Sequence, residues 1–310
     1  MKNSHHWCFA VLLSAASGAG LCISASAQQK TIAERLGYPA DAKLLILHAD
    51  DLALAHSVDT ASFEALDQKA ITSASIMVPC PWLTEVAAYA QSHPDADLGL
   101  HLTLTSEWKN YRWAPLAPND IVRGLLDGGG YLGREGVWMR ATPDDVEREV
   151  RAQIERARQV GISPTHLDSH MGTLFANPAF FAALVKVAHE YKLPFLAVRV
   201  TDARAEMLKM LSEKDIVVDR FIMADPTVPV AGWKEFYGNA VKDLQPGLTE
   251  IVVHLGHDDS ELQAITEGHV NYGAAWRQRD FDAVRSPEFK RLLQQNHAVL
   301  VGWKDLKKLM

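Results

Sequence analysis

Short apolar runs alternate with longer stretches of helical pattern from Leu44 to Val301, and this alternation limits the possible folds more than any other feature. Leu44-Leu45-Ile46-Leu47 offers no polar face, as a strand covered on both sides requires. Strand-like runs recur at residues 73–78, 98–104, 164–168, 195–200, 216–218, 250–254 and 298–301. Helical stretches are expected between them at 57–69, 82–90, 143–160, 178–191, 203–211, 233–241 and 287–295. Asp144 and Asp145 fall in the first turn of the 143–160 stretch, where a helix dipole favours acids. Strand followed by helix, repeated seven or eight times over roughly 260 residues, predicts one (β/α) barrel rather than an open doubly wound sheet. No glycine-rich fingerprint or phosphate loop follows the first run, which removes the main support for a nucleotide-binding fold.

The first 27 residues read differently. Lys2 precedes an apolar stretch beginning at Trp7, and Ala25-Ser26-Ala27 closes it, which is the pattern of a secretory signal cleaved after Ala27. Ser14, Ser17, Gly18 and Gly20 interrupt the stretch well short of the roughly 20 apolar residues a membrane-spanning helix needs. The expected mature domain is therefore 28–310, periplasmic or secreted, with no membrane attachment after cleavage. Removing the signal takes the formal charge from −7 to −8. That acidity argues against nucleic acid as a partner. It also leaves Cys80 as the one cysteine, so no internal disulfide can form, and a small buried side chain is its expected role.

Ionisable residues gather where the apolar runs end. The first run leads into His48-Ala49-Asp50-Asp51, and His101 stands inside Gly99-Leu100-His101-Leu102. In His166-Leu167-Asp168-Ser169-His170 a two-residue period places three titratable groups on one face. A late run ends in His254, with His257, Asp258 and Asp259 beyond it. Taken singly, paired aspartates often cap helices and a strand histidine is often a core residue. Three ionisable groups on one buried face are costly unless something compensates them. In a parallel barrel, all C-terminal strand ends also share one rim, so these groups can converge. Aspartate and histidine donors without cysteine suit one divalent ion in a partly open shell, whether zinc, magnesium or manganese. A second carboxylate beside such an ion can take a proton from water, which describes metal-assisted hydrolysis without naming the bond.

These segments, in this order and spacing, resemble the YdjC/ChbG (HpnK-like) carbohydrate deacetylase family. The tail, with Arg279-Asp280-Phe281-Asp282, Ser286-Pro287-Glu288-Phe289 and Val301-Gly302-Trp303, is similar to that family's end. The resemblance spans essentially the whole mature chain. It implies a distorted, TIM-like (β/α) barrel that removes N-acetyl groups from amino sugars with one divalent metal, Mg2+ or Zn2+. By motif position Asp51, His101 and His170 would be the metal ligands and Asp50 the general base. His254 would protonate the leaving amine or hold the oxyanion, while His166 and Asp168 would orient the ligand histidines. The partner would be an acetylated amino sugar or oligosaccharide, and a homodimer is left open.

The chain also departs from that family. Leu52-Ala53 stands where Phe-Gly is common, Met171-Gly172-Thr173-Leu174 where further histidines are common, and Leu255 where proline is common. All lie at the rim, where substrate sits. Trp108, Tyr111, Trp113 and Tyr131 in one irregular stretch, and Tyr272 and Trp276 in another, could stack on sugar rings; Trp113, Tyr272 and Arg199 are the named rim candidates. Rival readings are a metallohydrolase of the same architecture acting on another amide or an O-acetyl ester, and a glycan-binding protein without turnover. A purely structural metal would have no use for Asp50, which favours an enzyme.

Overall fold

A computed structural model describes residues 30–134, 136 and 139–310. The expected signal segment and its cleavage point lie outside these residues. Seven parallel strands form one sheet: β1 (Lys43–Leu52), β2 (Ser73–Ile76), β3 (Leu98–Leu102), β4 (Leu167–Ser169), β5 (Arg220–Met223), β6 (Gly247–Val253) and β7 (Ala298–Leu300). The described helices are α1 (Ile32–Arg35), α2 (His56–Asp67), α3 (Leu83–Ser92), α4 (Pro143–Gln159), α5 (Pro178–Tyr191), α6 (Trp233–Lys242), α7 (Ser260–Ile265), α8 (Ala274–Val284), α9 (Pro287–Gln295) and α10 (Trp303–Lys307). Proline at the first position and a capping Thr142, Asn177 or Ser286 start α4, α5 and α9 where the sequence places them. Among the described residues, no helix is long and apolar enough to cross a membrane.

The strands lie in the order β4-β3-β2-β1-β6-β5. β1 shares one edge between two partners, Lys43–Leu45 pairing with β7 and His48–Leu52 with β2. Single parallel bridges, Leu167 to Phe195 and Val198 to Val218, carry the curl from β4 round toward β5. The result is the expected distorted (β/α) barrel. Residues 195–200 and 216–218, expected as strands, are held only by these bridges, and the ladder to β6 begins later, at Arg220. Pro194 contributes to the weak wall because it has no N–H to donate as the segment enters it. The 203–211 stretch forms a 3-10 turn over Ala203–Met210 rather than an α-helix.

Alternate residues of β1 pack against different cores. Leu45, Leu47 and Ala49 join the apolar layer beneath the outer helices. Leu44 and Ile46 join an inner cluster with Leu196, Ile216, Val218, Leu248, Val301 and Trp303. Ala33 of α1 and Leu306 of α10 belong to that inner cluster and plug the N-terminal end of the barrel. The barrel thus has an apolar floor. Above it the inward positions turn polar, beginning with His48, which is what confines the chemistry to the C-terminal rim.

Candidate active site

Two successive aspartates reach one site because β1 breaks its own alternation. His48 and Asp50 continue the inward series, and Asp51 would ordinarily point outward. Instead the register with β2 shifts between Ala49 and Leu52, and Asp51 adopts φ 74°, a left-handed conformation uncommon without glycine. Ala53, standing where the resembling family has glycine, does the same at φ 72°. Each such residue costs about 1–2 kcal/mol. The turn is held by the Ala53 N–H donating to Asp59 Oδ1 at 2.6 Å and the Leu54 N–H donating to the Asp51 carbonyl at 3.2 Å.

Asp51 Oδ1 lies 3.4 Å from His101 Nε2 and 3.5 Å from His170 Nδ1. The three donors, all buried, fall within 4.8 Å of one another. Each is aimed by a partner on its far side. His101 Nδ1 bonds Asp168 Oδ1 at 2.6 Å, His170 Nε2 bonds Glu107 Oε2 at 3.0 Å, and Arg277 Nη2 donates to Asp51 Oδ2 at 2.7 Å. This leaves Asp51 Oδ1 buried without a hydrogen bond, facing His101 Nε2 and His170 Nδ1. An orphaned carboxylate oxygen and two imidazoles fit a divalent ion. Burial alone would raise the Asp51 carboxyl, but Arg277 and His170 hold it well below the usual range. Burial works equally against a charged His170, yet Glu107 and Asp51 carry its pKa up to about 10. A bound cation would displace such protons.

Of the other His/Asp groupings nearby, His48 and Asp168 are tied up in hydrogen bonds, while His166 Nε2 stays buried without one. His48 Nε2 stands 3.1 Å from both Asp50 Oδ1 and Asp168 Oδ2, while Nδ1 bonds Ser73 Oγ at 2.7 Å. Asp50 also accepts from Ser75 Oγ at 3.3 Å, and its Oδ2 lies 3.8 Å from His101 Nε2 and 3.9 Å from His254 Nε2. It therefore sits against the Asp51 cluster without belonging to it. His254 is fixed by its backbone N–H donating to Asp280 Oδ2 at 2.9 Å. Asp280 in turn accepts from Trp233 Nε1 and Tyr237 Oη. Burial drives the His254 pKa down to about 4, against the pull of Asp51 and Asp50, so its imidazole is neutral near pH 7.

His166 takes a different place from His170. It lies in the barrel interior, stacked on Trp303 at 5.1 Å, with Nε2 3.7 Å from Asp168 Oδ2. A Cβ at Gly99 would overlap its ring, so that glycine makes room for the imidazole beneath His101.

One cavity of about 1290 Å3 opens above the cluster and includes Asp50, Asp51, His101, His170 and His254 in its lining. Tyr272 and Arg199 line it, and Trp108 joins them. Trp113 does not. It is buried with its ring edge against His170, 6.3 Å away, and its Nε1–H donates to the Thr105 carbonyl. Its polar atom is thus spent inside the loop. Asp259 is the N-cap of α7, accepting from the Leu262 N–H, and His257 packs on Phe281 outside the cavity. Arg277, Glu107 and Asp280 were not singled out as site residues by sequence reasoning. Glu250, buried beneath the site, had a readable signal: it is the one charged residue in β6.

Fold and site together define a class, a (β/α)-barrel protein with a buried Asp-His-His centre suited to a divalent ion. The pattern of the YdjC-like protein family matches residues 44–295, and the chain belongs to that family. A carbohydrate deacetylase of Thermus thermophilus is 31% identical over 287 residues, covering 89% of this chain and 98% of its own. One from Thermoanaerobacter pseudethanolicus is 28% identical over 276 residues, covering 86% and 100%. A chitooligosaccharide deacetylase of Yersinia enterocolitica is 29% identical over 158 residues, covering 49% and 58%. A crystal structure from Enterococcus faecalis, named a cellobiose-phosphate cleavage protein, matches with a TM-score of 0.74 at 23% identity, covering 86% of this chain and 99% of that one. That likeness speaks for the fold.

Proposed function

We propose that this chain is an exported, metal-dependent carbohydrate deacetylase that removes N-acetyl groups from amino sugars or chito-oligosaccharide-like substrates and releases acetate. The observation that carries the reading is the orphaned Asp51 Oδ1 facing His101 and His170, with a separate carboxylate, Asp50, alongside. The names of the relatives support the same activity. The amino-terminal pattern, with cleavage after Ala27, supports export.

Asp51, His101 and His170 would hold one Mg2+ or Zn2+ ion, which when bound polarises an amide carbonyl and lowers the pKa of water. Asp50 takes a proton from the attacking water. The new C–O bond makes a tetrahedral carbon, and collapse breaks the C–N bond. The departing nitrogen needs a proton. Neutral His254, with Nε2 3.9 Å from Asp50 Oδ2, is placed to accept the one Asp50 has taken and pass it on. The products are acetate and a free amine.

Asp50→Asn keeps the shape and removes the base. Acetate release should fall by about 10²–10⁴-fold with metal affinity within a few-fold of the native chain. Full turnover in that variant would refute the base assignment.

A further inference from the structure

Beneath the Asp51 cluster three more donors converge. His48, His166 and Asp168 are all buried and bring one ligand atom each within 4.8 Å of one another. Thr165 Oγ1 gives its single proton to Asp97 Oδ1, so it accepts from His166 Nδ1–H at 2.9 Å. Burial lowers the pKa of His166, and the neutral ring keeps a lone pair on Nε2. That nitrogen lies 3.7 Å from Asp168 Oδ2, acceptor against acceptor, and has no hydrogen bond among the described residues. A buried orphan of this kind calls for a water or an ion. On the other side of Asp168 Oδ2, His48 Nε2 stands 3.1 Å away, with Asp50 Oδ1 also at 3.1 Å and Ser75 Oγ at 3.0 Å. One N–H there has three oxygens to serve. His48 Nδ1 bonds Ser73 Oγ at 2.7 Å. Each histidine is thus held at its far nitrogen by a hydroxyl, as metal-ligating histidines are held, and each brings Nε2 to the same carboxylate oxygen.

We propose that His48 Nε2, His166 Nε2 and Asp168 Oδ2, with Asp50 Oδ1 as the fourth donor, form a second metal site, distinct from the Asp51 centre, for a first-row ion such as Zn2+. The donor separations of 3.1 and 3.7 Å bracket the edge of roughly 3.4 Å in a tetrahedron with bonds of about 2.1 Å. Two carboxylates balance the charge, and two imidazoles favour Zn2+ over Mg2+. The ion takes the place of the proton on His48 Nε2. His48, Asp50 and Asp168 line the cavity floor and give it a way in. With four protein donors the site is closed, so its ion is structural. Asp168 Oδ1 aims His101 at 2.6 Å, so the inner ion stiffens a carboxylate that orients a ligand of the outer one. Asp50 keeps Oδ2 for the proton transfer.

The test titrates the metal-free, untagged mature chain with Co2+, whose visible absorption is strong when four-coordinate, and follows the heat of binding in parallel. The native chain should take up two equivalents tightly, one of them with the intense bands of a closed four-coordinate site. His166→Gln should weaken that equivalent by at least about 100-fold and abolish its bands, while the other stays within about tenfold. His170→Ala should do the reverse, keeping the bands and losing the other equivalent, and it stands by itself if His166→Gln does not fold. A single equivalent in the native chain, as a water joining His166 to Asp168 would leave it, overturns the inner site. So do bands that survive in His166→Gln or vanish in His170→Ala. None of these readouts measures acetate, so failure of the inner site leaves the deacetylase reading standing.

Discussion

Arg277 holds Asp51 by one oxygen and leaves the other to the two histidines. The contact is 2.7 Å between two side chains each about 3% exposed, from α8 and β1. Without the guanidinium, burial would work on Asp51 unopposed by its strongest partner and the carboxylate would lose its aim. Arg277→Gln should therefore weaken divalent-ion affinity about 10–100-fold in a calorimetric titration of the metal-free protein. Unchanged affinity would show that Asp51 needs no such anchor.

Glu107 should matter for the same reason through His170, and Asp168 through His101. Glu107→Gln keeps an oxygen that can accept from His170 Nε2 and should cost metal affinity little. Glu107→Ala and Asp168→Ala should each lower it about 10–100-fold. If the alanine and glutamine variants at position 107 titrate alike, the carboxylate does not orient His170.

Glu250 predicts a pH dependence of stability. Burial lifts its pKa from 4.5 to about 7, although His48 and the Trp303 indole N–H at 2.9 Å favour the ionised form. Its folded-state pKa is raised, so its contribution to stability is whole below about pH 4.5 and is lost as pH rises through about 7. Glu250→Gln removes that loss. Urea unfolding of metal-free protein should show the variant gaining on the native chain by about 3 kcal/mol between pH 4.5 and 8. Parallel stability curves would place the Glu250 pKa near its ordinary value.

Sequence pattern exposed the barrel because β1, β3 and β6 are buried almost throughout and read as largely apolar runs, whereas β5 and β7 are partly exposed. Helices α5 and α9 matched their expected bounds, each marked by a capping residue and proline. Helix α8 was hidden because its buried face carries Arg277 and Asp280 among Trp276 and Phe281, so no apolar period shows. The three residues expected from motif position, Asp51, His101 and His170, lie together in the structure as a group that could hold an ion. That Asp50 and Asp51 could both face inward was not legible in the sequence, since it depends on a bulge and a left-handed residue that no side-chain pattern encodes. Trp113 failed as a rim residue because composition cannot tell an aromatic that packs a loop from one that lines a cavity. Asp259, named in the sequence only as lying beyond His254, is a helix cap, the ordinary role of an aspartate there.

Acetate release from N-acetylated chito-oligosaccharides by the purified mature chain, before chelation, after chelation and after return of Zn2+ or Mg2+, tests the central claim most directly. The account predicts release that the chelator abolishes and the metal restores, and that His101→Ala lacks throughout. Release that persists undiminished in the chelated protein, or in His101→Ala, would contradict it.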